Sequence, residues 1–518
     1  MTAWPRRGPT ATGLLALAAL IWVLDGGPAA AAPRASQPAA PSSWTVYHGA
    51  ADGVGVAGAM AAVNTASPAW TSPALDGELY GEPLVSSGHV YVATENDTVY
   101  ELSAATGAVL WSTHLASPVP SGDLPCGDIA PTVGITGTPV IDPARGEIFV
   151  VADELVNGKS AHVFAGLSTA SGKVEVTQDV DPAGADPTAL LQRTGLTLDD
   201  GRVVFAMGGN DGDCASYRGR VIAEAETGGT PAMFTVDAAA GESQGAIWMG
   251  GAAPVVDSAG DILVTTGNGS VYSYRQPYDN SDSILELSPS LRLAQFFAPT
   301  TWATDNSRDL DMSTAPALLP DGQVILTGKS RIVYLLNQAH LGGIGGQQAE
   351  LGPACSADID GGVAVQGMTV YLPCTSGIVA VRAVKSPAAL HLLWSSGTGG
   401  GPAIVAAGRV WTIGRDGVLY GLNPATGAVA QQASIGTPAN HFPTPTAADG
   451  LLLAPSGDDV VAFSASGSAV GPASSATSPA GSGGGLPGRA IAGIVVAGLA
   501  VIGWLGWLLW RRRTSGSG

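Results

Sequence analysis

Residues 82–111 hold four short strand patterns separated by tight-turn residues, and the same unit then recurs along the chain. Val90-Tyr91-Val92-Ala93 carries the period-2 signature of a half-buried strand. Glu95-Asn96-Asp97 supplies turn chemistry and Val99-Tyr100-Glu101-Leu102 alternates again, so the pair reads as a hairpin. Ala105-Thr106-Gly107 makes a second tight turn before Ala108-Val109-Leu110-Trp111, and Glu82-Pro83-Leu84-Val85 completes a four-stranded meander. Four strands in roughly forty residues is the size of one propeller blade.

The later copies follow in order. A second blade runs from Gly137-Thr138-Pro139-Val140 to Ser171-Gly172-Lys173, a third from Thr194 to Thr227-Gly228, and a fourth from Gly251 to Leu287. The fifth carries Gln323-Val324-Ile325-Leu326 and Ile332-Val333-Tyr334-Leu335-Leu336; the sixth ends near Trp394. The seventh echoes the first most cleanly, with Arg409-Val410-Trp411-Thr412 and Ala425-Thr426-Gly427-Ala428-Val429. The eighth passes Leu451-Leu452-Leu453-Ala454 and Val460-Val461-Ala462-Phe463 and stops before any outer strand. Ala69-Trp70-Thr71 is the expected donor of that strand, which would close the ring and remove an exposed sheet edge. The fold class is therefore all-β, a propeller of about eight four-stranded blades, with seven as the alternative count. The 72 Gly, 36 Pro and 13% charged residues suit many short strands joined by tight turns.

The formal net charge is −19. Seven arginines and Asp25 lie in the flanking segments, so the ends carry +6 and the body −25. A body that acidic repels phosphate backbones, which argues against a nucleic-acid partner.

The ends read as export and anchoring signals. Residues 1–32 have the form of a signal peptide: Arg6 and Arg7, an apolar core from Gly13 to Leu24, then a small-residue zone at Pro28-Ala29-Ala30-Ala31-Ala32. Residues 33–43 form a linker, 44–464 the propeller, and 465–489 a Gly/Ser/Ala/Pro-rich stalk. Residues 490–510 are an uncharged run long enough to cross about 30 Å of hydrocarbon as one transmembrane helix. Trp504, Trp507 and Trp510 suit an interface, and Arg511-Arg512-Arg513 opens a cytoplasmic tail, 511–518. The expectation is a single-pass protein of the cell membrane with the propeller outside.

The Tyr-Val, Tyr-x-Leu and Thr-Gly-x-x-x-Trp pattern resembles the repeat of pyrroloquinoline quinone (PQQ)-type β-propellers over about 44–464, and Trp44-Thr45-Val46-Tyr47-His48-Gly49-Ala50-Ala51 looks like that family's start. The family includes quinoprotein alcohol dehydrogenases and non-catalytic scaffold propellers of the outer-membrane assembly lipoprotein kind. The resemblance therefore implies a fold and leaves two functions open.

Four cysteines in an exported chain favour disulfides, and no C-x-x-C is present. Of the three pairings, Cys355 with Cys374 is expected because both lie in one blade's turn and strand and close a short loop. Cys126 and Cys214, both in loops between inner strands, would then form the second bridge.

One constellation carries candidate chemistry: Thr265-Thr266-Gly267-Asn268-Gly269, Arg308-Asp309-Leu310-Asp311 and Gly328-Lys329. The family resemblance implies Asn268 as a calcium ligand, Asp309 or Asp311 as the base and Lys329 near a bound PQQ. Calcium takes hard oxygen ligands and polarises a quinone carbonyl, while a carboxylate removes the alcohol proton. The sequence departs from that pattern. No two cysteines are adjacent, and Trp248-Met249-Gly250-Gly251 places its indole before the glycines. The structural alternative makes Gly267-Asn268-Gly269 a turn and the two aspartates braces of inter-blade loops. Asp279, Asn280 and Asp282 read as Asx-turn residues, and the scattered histidines as structural. The leading reading is a membrane-anchored, non-catalytic module for a protein or cell-envelope ligand; the rival is a PQQ- and calcium-dependent oxidoreductase.

Overall fold

Each blade in the computed structural model, which describes residues 43–470 (467–470 as backbone only), grows from the hairpin chemistry of its sequence. In blade 1, Leu84–Ser86, His89–Ala93, Thr98–Ser103 and Val109–His114 pair antiparallel in sequence order, with Val90 opposite Leu102 and Ala93 opposite Val99. Blades 2 to 7 repeat the plan over residues 140–179, 190–235, 255–298, 317–351, 364–395 and 403–434. Blade 4 gains Gly343–Ile344, which runs parallel to its outer strand.

Blade 8 supplies Thr446–Ala448, Leu451–Ser456 and Asp459–Val470 and takes its outer edge from the other end of the domain. Trp70 pairs with Ala462 and Thr71 with Val461, as the sequence predicts. Met60–Val63 extends the same edge against the end of the last strand, an addition the sequence reading did not anticipate. Eight blades thus close the ring, and no terminal edge is left without a partner strand.

Burial follows position within the blade. The outer strands Val109–His114, Val174–Asp179 and Val429–Ser434 alternate between more and less exposed residues. The inner strands are buried on both faces, as in Leu84–Ser86 and Ile262–Thr266, because a neighbouring blade covers each side. The core therefore lies between blades. One apolar cluster joins residues of blades 7, 8, 1 and 2, and another those of blades 3, 4 and 5.

Three tryptophans show how neighbouring blades lock. Trp111 ends the Thr-Gly-x-x-x-Trp element of blade 1; its ring lies against Gly172 of blade 2 and its Nε1 donates to Thr169 O at 3.0 Å. Trp394 of blade 6 does the same over Gly427, donating to Pro424 O at 2.9 Å. Trp70 packs on Gly107 and donates to Ala104 O at 2.8 Å, so the closing strand locks blade 8 to blade 1. Glycine is required at these turns, since a Cβ would enter the indole and φ is positive at all three.

Residues 44–57 run as a strap across the innermost strands. Trp44 exchanges backbone hydrogen bonds with Val85 of blade 1, and Thr45 O accepts from Ile141 of blade 2. Ala51 O accepts from Val256 of blade 4, Val54 O from Val365 of blade 6, and Gly55 O from Val405 of blade 7. Tyr47 Oη lies 3.3 Å from Thr444 Oγ1, just before blade 8. A single segment thereby ties five blades, and the run that enters the eighth, at the ring centre.

Both expected disulfides are present, Cys126–Cys214 and Cys355–Cys374, and no described cysteine is free. Among the described residues no helix is long and apolar enough to cross a membrane. The expected signal peptide, the stalk beyond residue 470, the span at 490–510 and the tail lie outside the described residues.

Candidate functional site

A cavity of about 490 Å³ opens among loops of several blades, and all four sequence candidates line it. Asn268 follows the strand Ile262–Thr266, Asp309 and Asp311 follow the short helix Trp302–Asn306, and Lys329 follows Gln323–Leu326. Residues 61 positions apart at the extremes, Asn268 and Lys329, meet because their strands point the same way into the ring.

Lys329 organises the cluster. Its Nζ lies 2.7 Å from Asp311 Oδ2 and 2.9 Å from Asp309 Oδ1. Trp248 Nε1 donates to the same Asp311 Oδ2 at 3.1 Å, and the Asn268 backbone N–H donates to Asp311 Oδ1 at 2.8 Å. Asn268 Nδ2 donates to Asp309 Oδ1 at 3.1 Å, and Asp309 holds a left-handed backbone with φ 56°. Burial raises the Asp311 carboxyl, with the Lys329 ammonium opposing it. Burial likewise depresses Lys329, but Asp311 and Asp309 outweigh that and raise it well above the usual lysine range.

The wall contains residues that sequence reasoning did not assign to a site. Trp248 stands beside Lys329, whose Nζ is 5.3 Å from the ring centroid, and meets Phe442 edge-on at 6.0 Å. The Arg193 guanidinium lies 4.4 Å over Phe442 and 5.6 Å over Tyr80. Asp360 and His441 approach at 3.9 Å, and Arg415 donates to His441 Nδ1 at 2.7 Å. The Cys126–Cys214 bridge fastens two rim loops, one carrying Asp128 and the other Asp211 and Asp213. The usable sequence signal was positional: each of these residues sits in a loop next to an inner strand.

The loop that begins at Asn268 is braced internally. Asp279 accepts the Val271 N–H at 3.1 Å, Asn280 donates to Val236 O at 3.2 Å, and Asn306 Oδ1 accepts the Gly269 N–H at 2.9 Å. Asp279 and Asn280 thus act as loop braces.

As it stands, the cluster's own ion pair occupies groups that calcium with a bound quinone would use. An ammonium already stands between the two carboxylates, and both Asp311 oxygens are engaged. Asn268 Oδ1 is a hard-oxygen donor without a hydrogen-bond partner, but calcium takes about six to eight such ligands. Among the described residues, no three His, Cys, Asp or Glu side chains are arranged to hold a metal ion. PQQ carries three carboxylates, and this wall sets six aspartates against two cations, Arg193 and Lys329, which leaves it net negative.

Comparison with solved structures places the fold. The quinohemoprotein alcohol dehydrogenase ADHIIG of Pseudomonas putida HK5 superposes with a TM-score of 0.64 at 13% identity, covering 85% of this chain and 83% of that one. The quinohemoprotein alcohol dehydrogenase of Comamonas testosteroni gives 0.63 at 15%, covering 84% and 82%. A europium-containing methanol dehydrogenase gives 0.59 at 13%, covering 82% and 98%. At such identities the likeness concerns the fold. No curated protein is recognisably similar in sequence. The family model described as outer membrane protein assembly factor BamB matches residues 21–283, half of the chain. The chain belongs to the PQQ-like β-propeller family.

Proposed function

We propose that this protein is a membrane-anchored, extracytoplasmic binding module, non-catalytic, whose blade-top loops engage a protein or cell-envelope ligand. The observation that carries the reading is Lys329 held between Asp309 and Asp311. A general base needs a free lone pair aimed at its substrate, whereas Asp311 is saturated by an ammonium, an indole N–H and a backbone N–H. Asp311 is thereby fixed in place, which suits a recognition wall. The family model's description, an assembly factor, agrees with a binding role. The basic and apolar pattern of residues 1–32 and the run at 490–510 supply the export and anchoring part of the proposal.

The rival reading, an oxidoreductase using PQQ and calcium, draws on the convergence of Asn268, Asp309, Asp311 and Lys329 on one cavity. The test separates the two. The purified protein is incubated with PQQ and calcium and assayed for dye-linked alcohol oxidation. No gain over the untreated protein is expected. Turnover that requires both additions and disappears in Asp311→Asn would establish the enzyme instead.

A further inference from the structure

The charge and chemistry of the cavity wall point to the ligand class, an inference that rests on the binding-module reading. Asp128, Asp211, Asp213, Asp309, Asp311 and Asp360 line the cavity, opposed by Arg193 and Lys329. Lys329 is committed to Asp309 and Asp311, at 2.9 and 2.7 Å. Arg193 lies over the rings of Phe442 and Tyr80. Asp213 accepts the Tyr217 hydroxyl at 2.6 Å, a neutral donor that leaves its charge uncancelled.

Asp360 is the most telling of these. It is only 6% exposed, its Oδ1 has no hydrogen-bond partner, and its Oδ2 lies 3.9 Å from His441 Nε2. A buried carboxylate oxygen without a donor is costly to keep. Asp360 lines the cavity, so a donor for that oxygen would have to be brought in from the cavity side. The wall also shows what that half resembles, since the protein's own ammonium and guanidinium already rest against Trp248 and Phe442.

We propose that the cavity is a subsite for a single organic cationic group, a guanidinium or alkylammonium, received by Asp360 and drawn in by the rim carboxylates. Aromatic walls and a single orphaned carboxylate suit such a group better than a metal ion, which needs several oxygens converging on one point. The cation is either the end of a basic side chain on a partner protein or a free polyamine. Its volume, about 490 Å³, is that of a small-ligand site.

Isothermal titration of the full-length protein in detergent at low salt tests this. The probes are an acetylated, amidated Gly-Arg-Gly peptide, its neutral citrulline counterpart, and spermidine. The arginine peptide, spermidine or both should bind at one site, and Asp360→Asn should weaken that binding by about tenfold or more. Peptide binding identifies a partner's side chain as the source; spermidine binding alone identifies a free amine. The citrulline peptide should bind at least about tenfold more weakly than the arginine peptide if the latter binds. Should Asp360→Asn fail to fold, the pair Asp128→Asn and Asp211→Asn, at two exposed rim positions, should still weaken binding severalfold. Absence of binding by either cation overturns the inference, as does binding that Asp360→Asn, or in its place the rim pair, leaves unchanged. Equal affinity for the citrulline and arginine peptides also overturns it. Those outcomes leave the binding-module reading standing, which falls only to PQQ- and calcium-dependent turnover.

Discussion

Lys329 Nζ and Asp311 Oδ2 are 2.7 Å apart in the cavity wall, and the Trp248 indole donates to the same oxygen. Asp311 is buried, so removing its cation strands a charge that little water can reach. Lys329→Met should therefore destabilise the fold by about 3 kcal/mol. Lys329→Met with Asp311→Asn should recover most of that loss, because no buried charge is then left over. Urea denaturation of the two variants checks the order; equal losses would mean the pair is not coupled.

The Trp-on-Gly locks predict a contrast between two glycines of similar backbone. Gly172 and Gly88 have φ of +68° and +81°, but a Cβ at Gly172 meets Trp111 whereas at Gly88 it meets nothing within 4 Å. Gly88→Ala should cost about 1 kcal/mol, the penalty of the left-handed backbone alone. Gly172→Ala should cost clearly more, by about 1–3 kcal/mol for the displaced indole. Equal melting temperatures for the two variants would show that the lock is energetically idle.

Ring closure makes the two ends of the domain interdependent. Trp70→Ala removes a buried indole that joins blade 8 to blade 1 and should cost about 3–5 kcal/mol. Deleting residues 44–75 removes the central strap as well as the closing strands and should lower the melting temperature of the whole propeller in one transition. A truncated protein that melts like the full one would place the closure elsewhere.

Stability should fall as pH rises. His162 is fully buried, 2.7 Å from Asp181 and 3.1 Å from Asp153. Burial depresses its imidazolium, but the two carboxylates prevail and raise it to about 9. Because that exceeds the unfolded value near 6.5, its stabilisation is complete below about 6.5 and lost as pH rises through about 9. Burial raises Glu95 to about 7 and Asp97 to about 10. Their ionisation thus opposes folding over the windows between their unfolded values and these. The melting temperature should drop by several degrees between pH 6 and 9.5, as followed by circular dichroism. His162→Gln should flatten the upper part of that slope; a melting temperature that rises with pH would contradict the assignment.

The topology proposal has its own readout. Protease added to intact cells should shave residues 44–464 and leave a small membrane fragment containing 490–513. Protection of the propeller under those conditions would reverse the proposed orientation.

Much of the fold is legible in the chain because each blade is local. Strand, turn and strand follow within about forty residues, so period-2 alternation and Thr-Gly turns report them directly. Ala69-Trp70-Thr71 could be matched to the missing outer strand for the same reason, as could the four cysteines to their two bridges. Met60–Val63 and the strap at 44–57 were not legible. Their partners lie up to about 400 residues away, and a segment that hydrogen-bonds successive blades through its backbone leaves no side-chain period. The site divides in the same way. Asn268, Asp309, Asp311 and Lys329 were singled out as a set by the family resemblance, and they fall in neighbouring loops of blades 4 and 5. That Lys329 neutralises the two aspartates, and that Asp360 is left with an unpartnered oxygen, depends on distances set by ring closure. The sequence alone determined which residues each blade carries; the tertiary structure decided which charges meet, because only the closed ring brings loops from different blades to one axis.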